Sequence, residues 1–346
     1  MHITTIGLDL AKNVLQVHGV DANGKTVLQK QLKRAQVLTF FAPLPKCLVG
    51  MEACPGAHYW ARELVKLGHT AKLMPAQYVK PYVKRNKTDA NDAAGICEAV
   101  TRPTMRFVSV NTAAQQDMQM LHRIRSRLVS ERTALTNQMR GLLGEAGFVF
   151  GGGSASLKRG VQTLLQKEES PLSALAQQLM QDSLTHWQRL NEQITAYDAE
   201  VARLAQDDPL SRRLLPIPGI GPLTATALVA AVNDAKQFAN GRQLAANLGL
   251  TPYEHSSGGK QRLLGISKRG DRYVRTLLIH GARTALRHAG NKTDRLSRWA
   301  LALAARRGKN VAAVGLANKM ARITWAVLAR ERDFAPNWSN TALAQA

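Results

Sequence analysis

Residues 3–32 read ITTIGLDLAKNVLQVHGVDANGKTVLQKQL, and three strands follow from this stretch alone. Ile3–Leu8 is apolar and β-branched, Val14–Val20 follows a short turn, and Lys25–Leu32 alternates in polarity. Asn23-Gly24 supplies the hairpin turn between the second strand and the third, since tight hairpin turns need positive φ. Further along, Cys47–Met51 is a buried-strand run and His58–Leu67 a helix stopped by Gly68. Thr70–Met74 is another short strand, and Asp89–Val100 a helix that closes before Pro103.

Three strands in a meander, then strand, helix, strand, helix, is the order of an α/β ribonuclease H-like (RuvC-like) domain, expected over residues 1–111. Residues 112–206 change character. Trp187, Leu190, Ile194, Tyr197, Val201 and Leu204 repeat at alternating spacings of three and four, a heptad seam. Met118, Leu121, Leu128, Leu135, Met139 and Leu142 make a similar stripe, and the glycines at 151–153 with Ser154 form a turn between the two. This pattern predicts a long helical coiled-coil region: an antiparallel hairpin, a dimerising coil or an ordinary packed helix pair. Residues 207–332 form a mainly α-helical C-terminal domain, with helices around Tyr273–Arg287 and Lys309–Arg330. The tail, 333–346, is expected to be weakly ordered.

Charge narrows the function. Forty-seven Lys and Arg against 24 Asp and Glu give +23, a field that draws in polyanions and has no use in small-metabolite chemistry. Between residues 255 and 330 there are 17 basic residues and only Asp271 and Asp294 as acids, so nucleic acid is the expected partner rather than an anionic membrane. Cys47, Cys54 and Cys97 show no zinc spacing and suit a reducing compartment. The N-terminus lacks the pattern of a signal peptide, and the uncharged stretch from Leu214 is broken by Pro216, Pro218, Gly219, Gly221 and Pro222. A cytoplasmic protein with no membrane span is the expectation.

Four acids sit where chemistry would need them. Asp9 ends the first strand, Glu52 ends the fourth, and Asp89 and Asp92 share one face of a helix at its N-terminal end. Where the first and fourth strands are neighbours, these carboxylates converge and repel unless divalent cations hold them. Two such ions activate one oxygen and stabilise another at a phosphate. Each acid also has a plain use: Asp89 as a helix cap, Glu52 as a turn residue, Asp9 as a strand end.

Downstream, Pro218-Gly219-Ile220-Gly221 leads into an apolar helix, Leu223–Val232. Such a turn resembles the hairpin of helix-hairpin-helix motifs, where Gly219 and Gly221 would open backbone amides to phosphate; the alternative is a buried tight turn. Ser256 and Ser257 then precede Gly258-Gly259 on an expected mobile loop among Lys260, Arg262, Lys268, Arg269 and Arg272. Cations ease attack of a serine oxygen on phosphorus and clamp the phosphate, although the same loop could bind phosphate without chemistry. Arg283 and Arg287, sharing a helix face, extend the basic surface.

Together these residues resemble the IS110 family of insertion-sequence transposases, in its IS1111-like branch, from about Ile6 to Ala329. The resemblance implies a RuvC-like domain with an Asp-Glu-Asp-Asp tetrad on Asp9, Glu52, Asp89 and Asp92, the last pair within the run 87–93, KTDANDA. It implies Mg²⁺ as cofactor and a serine nucleophile at Ser257, with Ser256 adjacent. Donor and target DNA as substrates and a guide RNA from the element's own non-coding end are also implied. So is a homo-oligomer, dimer or tetramer, in which the carboxylates of one subunit meet the serine of another. The expected activity is cutting and rejoining of DNA strands. A RuvC-like nuclease that hydrolyses DNA, or a nucleic-acid-binding scaffold, is the rival.

Overall fold

Small and apolar residues alternate along Thr5–Leu10 (β1), which leaves most of that strand buried on both faces and puts it at the centre of a five-stranded mixed sheet. The computed structural model describes residues 2–84, 88–167 and 170–335, and divides the chain into two units, Met1–Gln115 and Gln116–Ala346. Lys87 and residues 336–346 of the expected tail lie outside the described residues.

In the first unit β2 (Val14–Val20) pairs antiparallel with both β1 and β3 (Thr26–Lys33), while β4 (Leu48–Glu52) runs parallel to β1 and β5 (Thr70–Met74) parallel to β4. The strand order is β3-β2-β1-β4-β5. The hairpin turn falls at Asn23-Gly24, with Gly24 at φ +77° and the Asp21 carboxylate accepting from the amides of Asn23 and Lys25. A short α1 (Val37–Phe41), which periodicity did not predict, precedes β4. Ile6 and Leu8 pack with Trp60 and Leu64 of α2 (Ala57–Lys66) in the main core of this unit. Full burial of side chains of this size contributes about 1.5–3 kcal/mol each. After a short α3 (Ala76–Val79), α4 (Asp89–Val100) begins at a cap in which the Thr88 hydroxyl accepts from the Asn91 amide, and its inner residues Ile96, Ala99 and Val100 pack with Met74 and Val79.

In the second unit α5 (Ala113–Glu145) and α7 (Ala174–Asp207) form an antiparallel hairpin within the chain. Arg125 pairs with Asp198, Arg132 donates to the side-chain Oδ1 of Asn191, and the Trp187 indole donates to the Thr136 hydroxyl. The α7 seam is as expected, with Leu190, Ile194 and Val201 buried. The α5 stripe is shifted: Leu142 is exposed while Leu143 is buried, and His122 and Thr136 occupy seam positions. Between the long helices, the glycine turn leads into α6 (Ser154–Leu165), whose Leu157, Val161 and Leu164 close the hairpin tip against Met139 and Leu143.

The C-terminal core is built from α8 (Pro209–Leu214), α9 (Pro222–Val232), α10 (Gly241–Asn247), α11 (Arg272–His288), α12 (Arg295–Arg307) and α13 (Lys309–Ala329). A two-stranded ribbon, β6 (Pro252–Glu254) and β7 (Leu263–Ile266), interrupts this helical set. By length and composition alone α13 could cross a membrane, but its Leu316, Ala317, Met320 and Ala321 form part of the core.

One buried histidine ties α5 to this core. His122 bonds the Tyr273 hydroxyl through Nδ1 (3.1 Å) and the Thr226 hydroxyl through Nε2 (3.0 Å). Burial pushes its pKa down to about 4; the nearby Arg125 charge adds to this and Asp271 opposes it. A base whose folded pKa is depressed contributes stability above its unfolded pKa, about 6.5, and loses it as pH falls toward 4. Thermal unfolding should therefore show a stability loss of up to about 3 kcal/mol across that window. His122→Gln should flatten this part of the profile, as read by calorimetry at each pH.

Candidate functional site

The first site is assembled by a close approach of backbone to backbone. A Cβ on Gly7 would stand 2.1 Å from the Ala93 carbonyl oxygen and 2.4 Å from the Cys97 amide, so β1 admits α4 only where it carries glycine. Gly50 on β4 meets Val100 in the same way, with Val100 Cβ 2.7 Å from where its own Cβ would be. With α4 laid flat on β1 and β4, its first turn reaches the C-terminal ends of both strands. Carboxylate oxygens of Asp9, Asp89 and Asp92 come within 4.8 Å of one another there. Asp9 and Asp92 are half-buried and Asp89 is exposed.

Glu52 follows from the parallel register. Leu8 pairs with Met51, so Asp9 and Glu52 are the next residues on adjacent strands. The Cys54 thiol lies near both: burial raises its pKa first, and the charges of Glu52 and Asp9 raise it further. Sequence reasoning missed this neighbour, although its place two residues after a strand-end acid was the available signal. Hard oxygen donors converging in this way suit a divalent cation such as Mg²⁺.

In the second unit, the residues around Ser257 form a hairpin tip. Gly258 and Gly259 have φ of +55° and +75°, and the Lys260 amide donates to the Ser257 carbonyl at 3.0 Å. Positive φ at both central positions is the geometry that closes a two-residue hairpin, which explains the paired glycines structurally. Ser256 is engaged: its hydroxyl donates to Glu254 Oε1 at 2.5 Å and accepts from the Arg262 amide. Ser257 is exposed, and among the described residues its hydroxyl has no hydrogen-bond partner. The His255 ring lies against Tyr253, with centroids 4.8 Å apart.

The root of this hairpin is held tightly. A Cβ on Gly249 would sit 2.1 Å from the Arg269 carbonyl oxygen, and one on Gly270 1.8 Å from that of Asn247. The buried Arg275 guanidinium bridges the segments, donating to Leu248 O (3.0 Å) and Arg269 O (2.9 Å). Lys260, Arg262, Lys268, Arg269, Arg272, Arg283 and Arg287 are all exposed, and Arg269 stacks over Tyr253.

The Pro-Gly-Ile-Gly turn divides its glycines. Gly219 at φ +86° packs on α11, where its Cβ would lie 2.6 Å from the Gly281 carbonyl oxygen, whereas Gly221 is exposed at the start of α9. The amides of Thr224 and Ala225 both return to the Gly221 carbonyl.

Comparison with known proteins matches two regions of the chain. A family model described as the transposase IS116/IS110/IS902 family matches residues 211–306, and a second transposase model, for the DEDD domain of IS110 elements, matches residues 6–147. A probable family 20 transposase of Pseudomonas aeruginosa is 53% identical over 97% of this chain and 100% of its own length. The transposase of insertion sequence element IS1111A from Coxiella burnetii is 45% identical over 96% of this chain and 91% of its own. That of IS1328 from Yersinia enterocolitica is 43% identical over 94% and 97%. With the acid cluster inside one matched region and the serine hairpin inside the other, the chain belongs to the IS110 family of insertion-sequence transposases.

Proposed function

We propose that this transposase cuts and rejoins DNA with two separate chemical groups, a Mg²⁺ site on Asp9, Glu52, Asp89 and Asp92 and a serine nucleophile at Ser257. The convergence of Asp9, Asp89 and Asp92 carries the first half of the reading. A five-stranded sheet ordered β3-β2-β1-β4-β5, with β2 antiparallel, supports a RuvC-like assignment for residues 1–111. Residues 112–206 then serve as the helical coiled-coil region for oligomerisation and 207–332 as the serine-bearing domain. Donor and target DNA are the substrates, a guide RNA from the element pairs them, and a homo-oligomer of two or four subunits brings carboxylates and serine together.

Bound Mg²⁺ supplies positive charge that offsets the charge developing on phosphate oxygens. The protein's own part is transesterification. The Ser257 oxygen attacks phosphorus, the bond to one deoxyribose oxygen breaks, and that oxygen leaves with the proton lost by serine. One phosphodiester replaces another, so a strand hydroxyl attacking the phosphoserine reverses the step and frees Ser257. The positive φ of both turn glycines keeps the hydroxyl at an open tip, and the surrounding cations hold the phosphate in reach.

Asp9→Asn, Glu52→Gln, Asp89→Asn and Asp92→Asn should each reduce strand exchange roughly a hundredfold or more. Unfolding temperature without metal should hold or rise, since each change relieves repulsion between carboxylates. Activity near the wild-type level in these variants would remove the metal site from the reaction.

Denaturing a reaction in progress should leave DNA covalently attached to protein, and mass spectrometry should map the adduct to Ser257. An adduct on Ser256 would move the role by one residue. Efficient cleavage with no adduct, unaffected by Ser257→Ala, would instead make the enzyme a hydrolytic nuclease.

Binding to DNA of arbitrary sequence should weaken steeply with salt. Charge reversal at Arg283 and Arg287 should flatten the log–log slope by about 0.9 for each phosphate no longer neutralised, equally for unrelated sequences. Fluorescence anisotropy titrations at several salt concentrations provide the measurement, and a flat response in the unaltered protein would refute a phosphate-reading surface.

A further inference from the structure

We propose that Arg295, Lys319 and Arg322 form a phosphodiester-binding site on the joined faces of α12 and α13, one that grips the backbone of DNA beside the root of the serine hairpin. The three lie on a different pair of helix faces from Lys260, Arg262, Lys268, Arg269, Arg272, Arg283 and Arg287, and the DNA assignment rests on the reading of Ser257 as the group that attacks DNA.

Helical spacing brings the three cations together. Arg295 and Trp299 are four apart on α12, and Lys319 and Arg322 three apart on α13, so each pair shares one helix face. The Lys319 ammonium stands 4.1 Å from the centroid of the Trp299 ring, which joins the two faces. Lys319 is half-buried there, whereas Arg295 and Arg322 are exposed. Burial, followed by the charges of Arg295 and Arg322, holds the Lys319 ammonium below its ordinary pKa, so three like charges share a partly desolvated place.

No acid balances them. The sequence from Arg295 to Arg330 contains none, and among the described residues none of the three cations forms an ion pair. Asp294, the adjacent acid, caps α12 instead: its Oδ1 accepts from the Ser297 amide at 3.0 Å and its Oδ2 from the Ser297 hydroxyl at 2.6 Å. Cation–π attraction to Trp299 favours the ammonium, but burial and the two neighbouring guanidinium groups oppose its charge in the free protein. An arriving anion removes that opposition.

The ligand class follows from number and place. Three cations spread over two helices exceed the need of one carboxylate and fit successive phosphates of a strand, each neutralised phosphate releasing counterions. Asn318, next to Lys319, donates through Nδ2 to the Leu250 carbonyl at 3.1 Å, and Leu250 lies two residues before β6. The same turn of α13 that carries Lys319 is thus tied to the segment that feeds the hairpin bearing Ser257. A strand gripped here is anchored close to the nucleophile's own support.

Two readouts on the full-length protein test the site. Lys319→Met keeps an apolar stem on Trp299 and removes the charge. Affinity for a short duplex of arbitrary sequence should fall roughly tenfold at low salt, with the salt slope reduced by about 0.9. The unfolding temperature should stay level or rise, the opposite of what removing a purely structural interaction would do, and Lys319→Arg should keep most of the binding. Arg295→Gln and Arg322→Gln, at exposed positions, should weaken duplex binding without destabilising the fold. Unchanged affinity and slope in all of these variants would overturn the proposal. A weakening that tracks a lower unfolding temperature would overturn it too, as would a loss confined to an RNA hairpin probe. Ser257→Ala, measured in parallel, should bind duplex normally, so failure of the serine reading shows in the adduct assay and leaves this binding result distinct.

Discussion

The contact between Gly7 and the backbone of α4 is the constraint on which the acid cluster depends. Any side chain at Gly7 would displace α4 from β1 by the width of a methyl group or more, and interiors packed to crystal density have no slack to absorb that. Asp89 and Asp92 ride on the first turn of α4, while Asp9 is two residues beyond Gly7 on β1. A shift of about 1 Å in the helix would therefore pass directly into the spacing of the carboxylates. Rigid elements hold all four acids, and among them Asp9, Asp89 and Asp92 come together.

Much of this was legible in the sequence because periodicity and turn chemistry carried it. The β2–β3 turn at Asn23-Gly24 and the extent of α4 follow from local signals, whereas β1 beside β4 is expected only from the order of elements and its parallel pairing comes from the structure. The places where sequence pattern and structure part have particular causes. Leu142 fits a stripe of leucines but is exposed, because the α5 seam passes through His122 and Thr136, polar residues satisfied by Tyr273, Thr226 and Trp187. An apolar pattern cannot register a seam whose buried positions are hydrogen-bonded. The short α6 was hidden behind three glycines, though Leu157, Val161 and Leu164 mark its face. At Ser257 the pairing of two glycines at positive φ closes a hairpin. The cations around Lys319 are not evident in the sequence because they come from two helices, and sequence distance conceals a face built by both.

The two sites are supported in opposite ways. Around Asp9 the support is the interior of a sheet. Around Ser257 a short exposed ribbon stands on a root fixed by Gly249, Gly270 and Arg275, with a guanidinium buried among carbonyl oxygens. A fixed root and an open tip leave the Ser257 hydroxyl exposed on a ribbon whose base is held in place. Lys268, beside that root, has φ +54°, a left-handed conformation that disfavours side chains.

The long helical hairpin also sets a length. His122 is tied into the C-terminal core, and Leu143 sits in the cluster that closes the far end of α5. At 1.5 Å per residue the rise between them is about 32 Å. Leu142, Val149, Leu175 and Leu179 are exposed near that far end. The hairpin thus holds an apolar tip at a fixed reach from the C-terminal core, and shortening α5 and α7 by a turn each would draw that tip in by about 5 Å while turning it little about the axis.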